Sequence, residues 1–291
     1  MNDLKERLIK LILQFFALIS ILTTIGIVIT LFTEAFTFFK EVSVIEFFTA
    51  TKWTPIIRPR KFGVLPLVTG TMMVAIGSSI VSLPIGLGSA IYLSEYASKR
   101  NNQIIKPILE ILAGIPSVVY GFFALTFITP VLQKILPETE VFNAASASIA
   151  VGIMIIPMVA SLSEDAMRSI PDSIRHGAYA LGATKIEVVV KTILPAALSG
   201  IISSFILAIS RAIGETMIVA IAAGASPTLN FNPLESIQTM TGFMVNISMG
   251  DAPHGTIAYK TLFAVGALLF SITLVMNVLA KMIVSTHQEG Y

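Results

Sequence analysis

The sequence predicts an all-α integral membrane protein, and three observations carry that expectation. Of 291 residues, 55% are hydrophobic and only 12% charged, whereas soluble domains carry about 25% charged residues. Six stretches are each long and apolar enough to cross a hydrocarbon core of about 30 Å: roughly residues 8–33, 64–94, 107–132, 144–163, 196–224 and 260–284. Gly, Ser and Ala crowd the second, fourth and fifth of these, as close helix packing without intervening lipid requires.

Taken in order, the first stretch follows Lys5, Arg7 and Lys10 and so begins like a signal peptide. Its apolar run, Leu8 to Phe32, covers 25 residues against about 7–15 for a signal peptide, and no A-x-A site follows. It is therefore expected to be a retained spanning helix. The next segment holds the only Trp, Trp53, with Pro55 and Pro59. Its cluster Arg58-Pro59-Arg60-Lys61 reads either as an anion-attracting mouth or as a solvated linker anchoring a helix end. Pro116 and Pro157 are expected to kink the third and fourth spans. The stretch from Ala225 to Tyr259, with Pro227, Pro233, Gly242, Gly250 and Pro253, suits short interfacial helices or lids. No internal repeat stands out.

Orientation follows from Lys and Arg. With the N-terminus inside, the inner segments hold Lys5, Arg7, Lys10, Lys99, Arg100, Lys106, Arg168, Arg175, Lys185, Lys191 and Lys281. The outer ones hold Lys40, Lys52, Arg58, Arg60, Lys61, Lys134 and Lys260. The bias places both termini in the cytoplasm. With no cysteine there is no disulfide and no thiolate metal site. His176, His254 and His287 are scattered, so no metal site is expected. The net charge of +2 gives no footprint for nucleic acid.

Arg211 and Glu215 fall inside the fifth apolar stretch. A charge at such depth costs roughly 2.5–3.5 kcal/mol on insertion scales and by default faces protein or water. In an unbroken helix their i,i+4 spacing places both on one face. Two readings stay open: a polar spot on an anion path, or an internal ion pair that holds helices together.

The inner segment 164–194 carries a second signal. A short helix is expected to start near Pro171 and to stop at Gly182. Thr184-Lys-Ile-Glu187 has capping-box spacing, and Pro195 opens the next span. Ile174, Ala178 and Leu181 are expected on one exposed apolar face, for docking another protein or for folding back on the membrane domain. Thr69, Gly70 and Thr71 suit either path lining or packing, as do Ser117 and Tyr120. Glu110 is expected to pair with Lys106 at i,i+4.

The inner segment resembles the coupling motif of ABC importer permeases, E-A-A, three residues, Gly, nine residues, I-x-L-P. Here it runs His176-Gly177-Ala178, Gly182, then Thr192-Ile193-Leu194-Pro195. The motif's Glu is His176, its first Ala is Gly177 and its Ile is Thr192. Further segments resemble permeases of phosphate importers, closer to the PstC type than to its PstA partner. These are Phe62-Gly-Val-Leu-Pro66-Leu-Val-Thr-Gly70-Thr71, Pro84-Ile-Gly86-Leu-Gly88-Ser-Ala-Ile-Tyr92-Leu-Ser-Glu95-Tyr96, Leu112-Ala-Gly114-Ile-Pro116-Ser117-Val-Val-Tyr120-Gly121 and Arg211-Ala-Ile-Gly214-Glu215-Thr216-Met217. Together they cover nearly the whole chain.

The resemblance implies a MetI-like permease bundle of six spanning helices with a cytoplasmic coupling helix, in the cell (inner) membrane. It implies four kinds of neighbour: a second permease of the PstA type, two ATPase subunits, an external phosphate-binding protein, and membrane lipid. It assigns His176, Gly177, Ala178, Ala180, Leu181, Gly182 and Pro195 to ATPase coupling, and Arg211 and Glu215 to the substrate path, for which Thr71 and Ser117 are further candidates. Arg offers a fork that matches phosphate oxygens, and Glu215 is expected to hold it between transport events. No cofactor is expected. The chain has no Gly-Lys pair and hence no phosphate loop, so ATP hydrolysis is assigned to a partner. A sulfate or molybdate permease and an ion-coupled transporter using Glu215 are the alternatives. A membrane enzyme finds no support, because no nucleophile–base pair is visible.

Overall fold

The computed structural model describes residues 2–288, and the side chains of residues 5–250 and 252–282. His287 and the last residues of the sixth expected span lie outside the described side chains. The chain is helical almost throughout. Helix α1 (Asn2–Phe39) leads to the short α2 (Val44–Thr49) and to a two-stranded hairpin, β1 (Trp53–Thr54) and β2 (Lys61–Phe62). The strands are antiparallel, with Trp53 opposite Phe62. Helix α3 (Leu65–Ile91) ends in a π turn, Tyr92–Tyr96. There follow α4 (Lys99–Gly114), α5 (Ser117–Phe123), a π turn, α6 (Thr129–Ile135) and α7 (Ala144–Arg168). Helices α8 (Asp172–Ala180), α9 (Lys185–Val188) and α10 (Leu194–Ala196) form an elbow. The chain closes with α11 (Leu198–Ile213), α12 (Met217–Ala222), α13 (Met240–Asn246) and α14 (Ile257–Gln288).

Among the described residues, five helical stretches are long and apolar enough to cross a membrane. A sixth appears if Lys185–Ala196 and Leu198–Ile213, bent by 70° against each other, count as one. The expected third stretch, 107–132, is instead two helices. Pro116 has no N–H to donate and biases Ile115 toward extended backbone, so the chain breaks there, with Ile115 at φ −68°, ψ 128°. Residues 99–114 form an amphipathic helix with no buried residue, and 117–135 form the apolar one.

Three apolar clusters stack along the bundle. At one end, Phe38, Phe47, Trp53, Phe62 and Phe243 gather beneath the hairpin; the Trp53 ring meets Phe243 edge-on at 5.0 Å. The middle cluster joins Val74, Ala147, Ile155, Ala208 and Ile218. At the other end, beside α8, Met167, Val188, Ile193 and Ile201 pack together. Helices α3 and α7 approach so closely that a Cβ on Gly152 would stand 2.8 Å from Val81 Cβ. One on Gly86 would stand 2.6 Å from Val159 Cβ. Only glycine lets the two backbones reach that distance.

Candidate functional site

Helix α11 does not run through to residue 224. It stops at Ile213, capped by Gly214, and a new helix begins at Met217. The i,i+4 relation expected of Arg211 and Glu215 therefore does not exist. Glu215 is 8% exposed, and its Oε1 accepts the N–H groups of Met217 at 3.2 Å and Ile218 at 3.3 Å. An anion at a helix N-terminus meets unsatisfied donors and the positive end of the dipole. Glu215 thus serves α12, and it does not hold Arg211.

Arg211 sits in the last turn of α11 and is exposed. Its closest polar contact is Met154 Sδ, 4.0 Å from Nη2, near the middle of α7. Among the described residues no carboxylate pairs with it.

Beside the break lies a cleft of about 380 Å³ lined by Gly214, Thr216, Thr241, Met244, Ser248 and Leu269, among others. Thr241 donates its hydroxyl to the Glu215 carbonyl at 2.6 Å, tying α13 to the break. The spacing of the sequence did not single out Thr241 or Ser248, because α13 and the turn after it reach the break from a remote segment. Thr71, expected on the path, is 2% exposed. Its hydroxyl donates to the Leu67 carbonyl and accepts the Met240 N–H at 2.9 Å, so it anchors α13. Ser117 is half-buried in the first turn of α5. It shares a face with Gly121, which packs on Ile218 and Ile221. The Tyr120 hydroxyl is taken up by the Leu112 carbonyl at 2.9 Å.

At the other end, Glu164 is 2% exposed, and its Oε1 lies 2.7 Å from Arg168 Nε and 3.1 Å from Lys106 Nζ. These are close ion pairs off the hydrogen-bond directions. Lys106 thus turns to α7 and not to Glu110, because the buried carboxylate leaves the larger desolvation to offset.

The elbow presents α8 outward. Helix α8 starts after Pro171 and ends at Ala180, with Leu181 as its cap. Gly182, at φ +83°, donates to the Tyr179 carbonyl at 2.9 Å, and Ala183 donates to that of Ala178 at 3.2 Å, the bonding of a Schellman turn. Thr184 gives its N–H and hydroxyl to Glu187 at 3.0 and 2.8 Å, and these bonds, with Lys191, hold the Glu187 carboxyl down to about 2. The expected common face of Ile174, Ala178 and Leu181 divides. Ala178 packs inward on the Met167 cluster and Ile174 is half-buried. Leu181, beyond the last helical residue, is 90% exposed. His176, Gly177, Ala180 and Gly182 are exposed with it, and so is Pro195 in α10.

Residues 82–286 match the family described as binding-protein-dependent transport system inner membrane component. The chain is 33% identical to the probable ABC transporter permease protein YqgH of Bacillus subtilis, over 96% of this chain and 91% of that one. It is 33% identical to phosphate transport system permease protein PstC 1 of Mycobacterium tuberculosis, over 81% and 80%. It is 30% identical to PstC of Haemophilus influenzae, over 98% and 94%. The fold is similar to a chain of the MetNI methionine ABC transporter, at a TM-score of 0.56 and 18% identity over 77% of this chain and 94% of that one. It is also similar to one of a bacterial alginate ABC transporter, at 0.60 and 14% over 91% and 92%. The bundle, the elbow and the span of these matches lead to one conclusion: the chain belongs to the binding-protein-dependent inner membrane components, the permeases of ABC importers.

Proposed function

We propose that this chain is a permease subunit of an ATP-driven phosphate importer and forms half of the translocation path beside a second permease of the PstA type. The end of the bundle that carries α8 faces the cytoplasm, with both termini. There the exposed edge of His176, Gly177, Ala180, Leu181 and Gly182 docks on a separate ATPase subunit. An external phosphate-binding protein delivers the anion at the hairpin end. The observation that carries this reading is Arg211, exposed beside the middle of α7 with no carboxylate partner among the described residues. Cleft residues Thr216 and Thr241 stand beside the same break. Phosphate suits such a site, because Arg meets two of its oxygens at once. A tightly closed cage would trap the anion, whereas a single exposed Arg favours weak, transient passage. The commitment of Glu215 to backbone N–H groups speaks against an ion-coupled transporter that uses this carboxylate. The test is phosphate uptake by the assembled complex carrying Arg211→Gln. Uptake is expected to fall by about 100-fold, the cost of roughly 3 kcal/mol for losing a charge-assisted contact, while the subunits still co-purify. Unchanged uptake would remove Arg211 from the path.

A further inference from the structure

The π turn Tyr92–Tyr96 at the inner end of α3 is a junction of four elements. The Leu93 carbonyl accepts from Asn102 of α4 and from Arg168 of α7, each at 3.3 Å. The Tyr92 hydroxyl accepts from Asn101 at 2.9 Å. Lys185 of α9 lies over the Tyr96 ring, 4.6 Å from its centre. Glu95 pairs with Arg175 of α8 at 3.2 Å, and the two side chains are 8% and 14% exposed. Ser94 also donates to Glu95, at 2.9 Å. The same guanidinium donates to the carbonyls of Ile170 and Met167, so Arg175 is fixed on both sides. Single-turn π segments loosen the regular ladder and recur where helices do work.

We infer that Glu95 is a positioning residue that passes a displacement of α8 to α3. This rests on the reading of α8 as the ATPase dock. The chain enters α8 at the turn of Pro171 and leaves it at the left-handed turn of Gly182, and Arg175 also ties it to the end of α7. The shielded ion pair is its polar link to a helix distant in sequence. Breaking one partner of such a pair is costly, so α8 and α3 move together. Helix α3 interlocks with α7 through Gly86 and Gly152 and packs on α11, which ends at Arg211. Motion at the elbow thereby reaches the path. His176, next to Arg175, occupies the outward side.

The test uses the full complex in vesicles with its ATPase, second permease and binding protein. With Glu95→Ala, subunits still co-purify and hydrolyse ATP, because Arg175 keeps its two carbonyls and Asp172. Phosphate taken up per ATP falls by about tenfold, within the range of site-to-site coupling. The chain has no cysteine of its own, so Glu95→Cys with Arg175→Cys can be bridged by a short bifunctional thiol reagent. The bridge restores the uptake-to-hydrolysis ratio. An unchanged ratio in Glu95→Ala, or a lost ratio that the bridge does not recover, overturns the link. Amide exchange at residues 86–96 supplies a readout independent of substrate. It responds to ATP in the unsubstituted complex and not in Glu95→Ala; a response that survives the substitution also overturns the link. Failure of the unsubstituted complex to import phosphate overturns the phosphate reading instead, and the exchange comparison then decides the link alone.

Discussion

Replacing Glu215 separates two roles that its position allows. If its carboxylate caps α12, what matters is an oxygen near two backbone donors; if it balances Arg211, what matters is negative charge. The structure favours the cap, with bonds of 3.2 and 3.3 Å to Met217 and Ile218. Hydrogen bonds to a charged group contribute about 1.5–3 kcal/mol each. These two are long, so the lower figure applies, and Glu215→Ala is expected to cost about 3 kcal/mol. Glu215→Gln keeps a carbonyl oxygen in place at the strength of a neutral bond, about 1 kcal/mol each, and so loses about 1 kcal/mol. Thr241 binds the residue 215 carbonyl and is untouched by either change. Thermal unfolding of the purified complex in detergent measures both variants. The expected order is a small loss for Gln and one about three times larger for Ala. Equal losses would show that charge, not capping, is what residue 215 provides, and would restore a pairing with Arg211.

Two further outcomes follow from the geometry. Gly152→Val places its Cβ against Val81 and the Ser78 carbonyl, 2.8 and 3.1 Å away, and should cost about 1–3 kcal/mol by overpacking. Gly26→Val meets nothing within 4 Å and should leave the unfolding temperature unchanged; similar behaviour of the two would refute the close α3–α7 crossing. The Glu187 carboxyl, lowered to about 2 chiefly by the Thr184 backbone N–H, strengthens the start of α9 above its ordinary pKa of about 4.3. That contribution is lost as pH falls from there toward 2. Carboxyl ¹³C shifts should report a midpoint near 2 in the native chain and an upward move in Thr184→Ala.

Composition and apolar run length were enough to read the fold class, because a bilayer demands both. The stops and starts of the elbow were legible too, since Pro171, Gly182 and Thr184 each act on their own backbone. The site was legible only in part. Arg211 stands out in any apolar stretch, but its partner cannot be read from spacing, because spacing assumes an unbroken helix. A usable signal was present. An acid two residues ahead of an apolar run, as in Glu215-Thr216-Met217, has the form of a helix start. Thr71 misled for another reason: a hydroxyl among small residues looks the same whether it faces water or a backbone N–H from residue 240. The junction at Tyr92–Tyr96 depends on four segments meeting, which no local pattern records.

The leading helix α1 answers to different constraints from the rest. Its side chains are exposed from residue 5 to residue 27, and its main neighbour is α14. Oiliness and length are then almost all that the packing of this chain asks of its first two-thirds. Such a stretch can drift, be swapped for another of like hydropathy, or carry a fused reporter, without rewriting the core that the other helices share.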